Sequence, residues 1–314
     1  MKKNNEAQFF LDSLLDEIGR KDALHIKRLK KDIKILRDNH SVDFNSLLYL
    51  IHQYFNSKKV TPQKLAEDYL KMVNDMRHES LFFLRHGRYS CENQSMAFEK
   101  VYSKTAVMSY YMNALLISQI FWKHHFSIFT YFDQNLNHFF KPNESIDILD
   151  IGPGHGFFSQ IIITRIPNYN KLDIIDISES SLNMTKEIIG IGDRINYFNE
   201  DIFDFDTSHK YDLIVLGEVV EHLDNPLEIL KKISKLLTED GILWLTTPTN
   251  APALDHIYLF KNKDDVNELI SSAGLNVVNS IGFYSEDVSE EVANKNKVTQ
   301  LIGLFCNLPK TLRD

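Results

Sequence analysis

The chain has 314 residues, 43% of them hydrophobic and 25% charged, with a formal net charge of -8. That is enough ordinary globular chain for about two domains with a sizeable core. Two cysteines exclude a disulfide framework and an all-cysteine zinc site, and the acidic balance opposes non-specific nucleic-acid binding, which neutralises phosphates with Lys and Arg.

At the N-terminus, acids interrupt the apolar run around Phe9, Phe10 and Leu11, so no secretory core is read there. No apolar stretch approaches the roughly 18 residues of a membrane helix. With so few thiols, the expectation is a cytoplasmic chain without a membrane partner. Only Gly19 and Gly87 of the 12 glycines, and only Pro62 of the 8 prolines, fall in the first 140 residues. Few turn signals imply long helices there. Residues 24–39 place Ile26, Leu29, Ile33 and Leu36 at helical spacing, with Lys27, Arg28, Lys30, Lys31, Lys34 and Arg37 opposite. Such a face could dock an acidic partner or a membrane, but the preferred reading is the solvated face of an amphipathic helix. A second helix is read over 43–55. A third opens at Thr61-Pro62, an N-cap followed by Pro at the first helical position, and runs to Leu84. A long helical region at 95–133 carries Tyr102, Tyr110, Tyr111, Trp122, His124 and His125.

After residue 140 the pattern alternates. Strands are read at 146–151, 172–177, 195–198, 211–217 and 242–247. Helices are read at 157–166, 181–189, 226–237 (closed by Gly241) and 263–273 (closed by Gly274). Two closing strands follow at 276–283 and 298–305. Alternating strands and helices predict parallel pairing in a doubly wound sheet, with ligands at the carboxyl ends of the strands.

The first strand runs into Asp150-Ile151-Gly152-Pro153-Gly154-His155-Gly156-Phe157 and a helix follows. Glycines let backbone approach a ligand closely. The spacing differs from the dinucleotide fingerprint Gly-x-Gly-x-x-Gly: the third glycine comes one residue early, and Asp150 would repel a pyrophosphate while suiting a cationic amino group. Asp176, followed by Ile177, ends the second strand, where an acid can hold ribose hydroxyls. Asp201, followed by Ile202, comes after the third strand, where it can accept from an adenine amine. Three acids at successive strand tips outline an amino acid, a ribose and an adenine.

From about residue 147 onward, the chain resembles the class I S-adenosylmethionine-dependent methyltransferases. The resemblance rests on the glycine turn, the Asp176 strand, the Asp201 turn, the segment Asp212 to Leu223 and the strand end Thr246-Thr247-Pro248. It implies an α/β fold: a Rossmann-like seven-stranded sheet with its last strand antiparallel, over residues 141–314. An all-α region, residues 1–140, would serve as lid, substrate-binding and homodimer-forming domain. It also implies that Asp150, Gly152, Gly154 and Gly156 hold the methionine end of S-adenosyl-L-methionine, Asp176 and Ile177 the ribose, Asp201 and Ile202 the adenine, with Glu218 beside them. Lid residues Tyr102, Tyr111, Trp122 and His124 would surround the acceptor.

The candidates for proton removal are Glu218, His222 and His125. If a helix begins near Glu218, then Glu218, Glu221 and His222 share one side of it. Glu-x-x-Glu-His also looks like the metal-binding segment of ubiquinone-pathway O-methyltransferases and small-RNA 2′-O-methyltransferases, so a divalent metal on Glu218, Glu221, His222 and His256 is a second expectation. The functional reading is methyl transfer to an oxygen, nitrogen or carbon nucleophile of a small biosynthetic acceptor. Its rivals are cyclisation or aminocarboxypropyl transfer from the same cofactor, RNA 2′-O-methylation, and a non-catalytic cofactor-binding scaffold.

Overall fold

The computed structural model describes residues 2–309. Met1 and residues 310–314, the outer ends of the two expected domains, lie outside the described residues. Helix α1 (Lys2–Lys21) precedes α2 (His25–Ser57), α3 (Pro62–His86), the short α4 (Gln94–Ala97), a π-helical turn (Phe98–Tyr102), α5 (Thr105–Phe121) and α6 (Lys123–Phe139). The two helices read over 24–39 and 43–55 are one helix, kinked at His40 (φ -139°), within a run, Asn39-His40-Ser41-Val42-Asp43, of weak helix formers. Helix α3 begins as its sequence dictates. Thr61 accepts a hydrogen bond from the Lys64 N–H, Pro62 takes the first turn, and Gly87 closes the helix at φ 69°.

The long helical region at 95–133 is broken twice. Lys104 leaves helical geometry before α5, and Trp122 (φ -107°, ψ 120°) separates α5 from α6. The second break is held by side-chain chemistry: Trp122 donates its indole N–H to the Tyr69 hydroxyl at 2.9 Å, and that hydroxyl lies 2.9 Å from His25 Nε2.

The remainder alternates as expected: β1 (Asp147–Ile151), α7 (Phe157–Arg165), β2 (Lys171–Ile175), α8 (Glu179–Ile189), β3 (Ile195–Phe198), β4 (Tyr211–Gly217), α9 (Pro226–Leu236), β5 (Leu237–Thr249), α10 (Lys263–Ser272), β6 (Asn276–Tyr284), the unforeseen α11 (Glu290–Asn296) and β7 (Gln300–Asn307). The sheet order is β3-β2-β1-β4-β5-β7-β6. β7 runs antiparallel to both its neighbours, and the other pairings are parallel. Strand order reverses between β1 and β4, so a cleft opens above their carboxyl ends.

Gly241 does not close a helix. β5 begins directly after α9, and Gly241 lies in a register shift against β4. A Cβ there would come within 2.9 Å of the Tyr211 carbonyl oxygen and 3.0 Å of the Thr238 nitrogen, so close backbone approach is what requires glycine. Gly274 (φ 75°) does close α10.

Alternation along the strands divides the core. Ile148, Leu213, Val215, Trp244 and Phe305 face α6 and α7 and continue without interruption into the buried residues of α1, α2, α3 and α5. Leu149, Ile214, Leu216, Leu243 and Leu304 face α9 and α10. Helix α6 lies close on the sheet because Gly303 carries no side chain; a Cβ there would sit 2.5 Å from the Trp244 ring and 2.6 Å from Ile128. The N-terminal helices are therefore fixed over the cleft by a shared core. No described helix is long and apolar enough to cross a membrane.

Candidate active site

The turn after β1 needs its glycines: Gly152, Gly154 and Gly156 have φ of 64°, 57° and 74°, in the left-handed region that costs other residues energy. The Gly152 N–H donates to the Ile175 carbonyl at 2.8 Å, tying the turn to the end of β2. A Cβ on Gly152 would collide with Val219 at 2.7 Å and one on Gly156 with Thr185 at 2.8 Å, whereas Gly154 faces open space. That space is a cavity of about 520 Å³ lined by Asp150, Gly152, Gly154, Asp176, Ile177, Asp201, Ile202 and Glu218 below, and by Tyr102, Tyr111 and His125 above.

Asp150 is buried and accepts from Ser159 Oγ at 2.5 Å. Loss of hydration raises its pKa to about 7, with the Asp176 charge acting in the same direction. Half-buried Asp176 takes the Ser178 N–H at 2.7 Å, and burial likewise raises it to about 7. Asp201 caps the Phe203 N–H at 2.9 Å. Between these acids the exposed Ile177 and the buried Ile202 offer apolar surfaces suited to a flat base.

The sign of the Asp150 effect on stability follows from linkage. Its folded pKa, about 7, stands above the unfolded value of about 3.9. The folded state holds its proton through that window, so the contribution is complete below pH about 4 and is lost as pH rises towards 7. Asp150→Asn cannot ionise. In thermal melts of the ligand-free proteins, the stability of wild type relative to the variant is expected to fall between pH 4 and 7 and to level off above.

Beyond β4 the expected helix at Glu218 is absent. Glu218 lies in left-handed geometry (φ 54°), and only Val220–His222 form a 3-10 turn. Glu218 therefore does not share a helix side with Glu221 and His222. Its pKa is pushed up to about 8, by burial first and then by the Glu221 charge, so it is mostly protonated at neutral pH. Glu221 is fully buried below the cavity. One carboxylate oxygen accepts from Thr247 Oγ1 at 2.9 Å, and the other, Oε1, has no partner among the described residues.

His222 and His256 meet edge to face with ring centroids 4.8 Å apart. His222 Nδ1 lies 3.0 Å from the Asp255 carbonyl oxygen, and His256 Nδ1 lies 2.7 Å from that of Ala251. A carbonyl only accepts, so each Nδ1 carries a proton, and a neutral ring then keeps its lone pair on Nε2. Burial lowers the His256 pKa to about 4, leaving it neutral. Burial also disfavours charge on His222, but Asp255 and Glu221 outweigh it and raise its pKa.

Asp255, which sequence reasoning missed, joins the lid to this cluster. It is buried and accepts from the Tyr102 hydroxyl at 2.9 Å and the Tyr111 hydroxyl at 3.3 Å. Tyr89, also missed, fixes the same loop by accepting the Ala251 N–H at 2.9 Å. Only tertiary contact reveals either residue, since the partners lie more than 140 positions apart in sequence.

A second cavity, of about 690 Å³, opens between α2, α3 and the β5 end. Trp122 and His124 line this one and not the first. Tyr111, Leu115, His125, Glu218 and His256 line both, so the two spaces meet at these side chains. Burial holds His124 near pKa 3 and His125 well below the ordinary imidazole range, so both are neutral.

Glu221, His222 and His256 each offer a ligating atom, all within 4.8 Å of one another; Glu218 is not in this group. An orphaned buried carboxylate oxygen beside two imidazoles whose Nδ1 protons are already engaged is a donor set a divalent cation fits.

The family described as "Methyltransferase domain" matches residues 121–280, just over half of the chain. The malonyl-[acyl-carrier protein] O-methyltransferase 1 of Ilyobacter polytropus is 29% identical over 150 residues, 48% of this chain and 52% of that one. The mitochondrial ubiquinone biosynthesis O-methyltransferase of Candida albicans is 28% identical over 109 residues, 33% of each chain. The match thus spans about half the length of the first relative and less of the second. Among solved structures, the N-methyltransferase NodS of Bradyrhizobium japonicum WM9, in complex with S-adenosyl-L-homocysteine, aligns at 16% identity with a TM-score of 0.49, covering 70% of this chain and all of that one. On the family match, joined to the sheet order and the glycine turn, the chain belongs to the class I S-adenosylmethionine-dependent methyltransferases.

Proposed function

We propose that the chain methylates an oxygen nucleophile of a small biosynthetic acceptor, with residues 1–140 as lid and acceptor domain. S-adenosylmethionine, when bound, supplies a methyl carbon already activated by the positive sulfur. In this reading Asp150 and the glycine turn hold the amino acid end, Asp176 the ribose hydroxyls, and Asp201 the adenine amine between Ile177 and Ile202. The acceptor occupies the second cavity and presents its nucleophile where the two spaces meet.

The observation that carries the reading is His256. It is neutral, its Nδ1 proton is committed to the Ala251 carbonyl, and it borders both cavities. Its Nε2 lone pair suits removal of a hydroxyl proton as the methyl arrives. Protonated Glu218 can donate a hydrogen bond to the same acceptor, and the tyrosines over the site exclude water. Two of the relatives, those of Ilyobacter polytropus and Candida albicans, are named as O-methyltransferases, which supports oxygen.

Incubation with S-adenosylmethionine carrying a labelled methyl and a metabolite extract is expected to give S-adenosylhomocysteine and a labelled product. Methylthioadenosine instead would indicate cyclisation or aminocarboxypropyl transfer, and cofactor binding without turnover would favour a scaffold.

A second reading is favoured by the orphaned Oε1 of Glu221. Glu221, His222 and His256 would hold a divalent cation, which would lower the pKa of the acceptor hydroxyl. Adding a chelator to the same assay separates the two: unchanged turnover leaves His256 as base, whereas loss restored by added Mn²⁺ or Zn²⁺ supports the cation.

A further inference from the structure

We propose that the exposed basic face of α2 is a docking surface for an acidic carrier protein that delivers the acceptor, on a flexible tether, into the second cavity. This rests on the methyl-transfer reading above and adds the partner.

Five cations, Lys27, Arg28, Lys30, Lys31 and Lys34, stand exposed within eight residues of α2, on a chain whose net charge is -8. Among the described residues, no carboxylate lies within ion-pair distance of Lys27, Lys30 or Lys31, while Arg28 reaches Asp32 and Lys34 reaches Asp38. Lys31 also acts at longer range on Asp32 and Asp287. The face is continuous with the cavity mouth, because Arg28, Leu29 and Asp32 of the same helix line the second cavity. A macromolecule seated on these lysines therefore stands at the acceptor entrance.

The character of the face selects among polyanions. The apolar side of the helix, Ile26, Leu29, Ile33 and Leu36, is committed to the core; beside the lysines only Leu24, at the start of the helix, is an exposed large apolar residue, and a single side chain is too little to anchor the face among lipid chains. The face carries no aromatic residue on which a base could stack, and the overall negative charge opposes a long phosphate backbone. A compact acidic protein needs only the local field, which steers encounter and sets orientation. The two acids on the face, Asp32 and Asp38, limit how uniform that field is and favour a partner that seats in one register. Helix α2 lies outside the matched residues 121–280, in the N-terminal helical region.

The test uses the full chain and a purified acidic acyl carrier protein without its acyl group, so binding is read apart from chemistry. Fluorescence anisotropy is expected to show binding that weakens as salt rises. The variant Lys27→Glu/Lys30→Glu/Lys31→Glu/Lys34→Glu should lose at least about tenfold in affinity, and the corresponding Gln variant an intermediate amount. Calorimetry with S-adenosylhomocysteine accompanies each variant, and unchanged cofactor affinity shows that the fold is intact. No carrier binding, or carrier binding indifferent to the four charges, overturns the proposal and leaves the methyltransferase reading standing. Charge-dependent binding that is tighter to vesicles one-third phosphatidylserine, or to transfer RNA, overturns it in favour of a membrane or a nucleic acid. Failure of wild type to turn over S-adenosylmethionine would count against the function and not against the docking.

Discussion

His256→Ala is expected to lower kcat by about 10²–10⁴, the range associated with a positioned proton acceptor, while leaving the affinity for S-adenosylhomocysteine within a few fold. The split follows from position. The ring borders both cavities, whereas the acids assigned to the cofactor stand at the tips of β1, β2 and β3. A base acts on the acceptor proton, not on cofactor binding, so the loss belongs in turnover. Its tautomer is fixed from behind: Tyr89 accepts the N–H of Ala251, and the Ala251 carbonyl accepts the Nδ1 proton of His256. Tyr89→Phe keeps the ring packing and frees the loop, so it should cost less than His256→Ala and in the same parameter. Single-turnover rates with saturating cofactor measure both variants. A His256→Ala enzyme with a wild-type single-turnover rate removes the residue from the chemistry.

The parts of this site legible in the sequence are those carried by local backbone constraint. Glycines forced to positive φ sit within one turn, and an acid at a strand tip is fixed by the period of its own strand. Asp150, Asp176 and Asp201 line one cavity because three parallel strands end at one edge. Residues that depend on packing between distant elements stayed hidden. Asp255 reads as an ordinary loop acid until two tyrosines from the lid donate to it. Glu218 reads as the start of a helix because Glu-x-x-Glu-His has helical spacing. Yet its N–H is taken by the Thr246 carbonyl of β5 at 2.9 Å, and the backbone turns into left-handed geometry instead. Gly241 reads as a helix stop for a similar reason: composition shows that a glycine is needed and not which close approach needs it.

The three glycines of the turn separate ligand binding from folding, and the second large effect is expected at Gly154. Gly154→Ala should reduce affinity for S-adenosylmethionine and its demethylated product at least about tenfold, or ~1.4 kcal/mol. The cost to stability of the left-handed backbone should be about 1–2 kcal/mol. The added methyl meets no protein atom within 4 Å, so no packing clash adds to that cost, and Gly154 lines the cavity proposed to hold the cofactor. Gly152→Ala and Gly156→Ala pay the same backbone cost and also drive a Cβ into Val219 or Thr185 at under 3 Å, so overpacking of about 1–3 kcal/mol adds to the loss of stability. Denaturant melts with and without saturating S-adenosylhomocysteine read both quantities in one experiment. The ligand-induced shift should shrink most for Gly154→Ala, while the ligand-free midpoint should fall most for Gly152→Ala and Gly156→Ala. The reverse order would mean that Gly154 is a folding requirement and that the cofactor lies elsewhere along the strand tips.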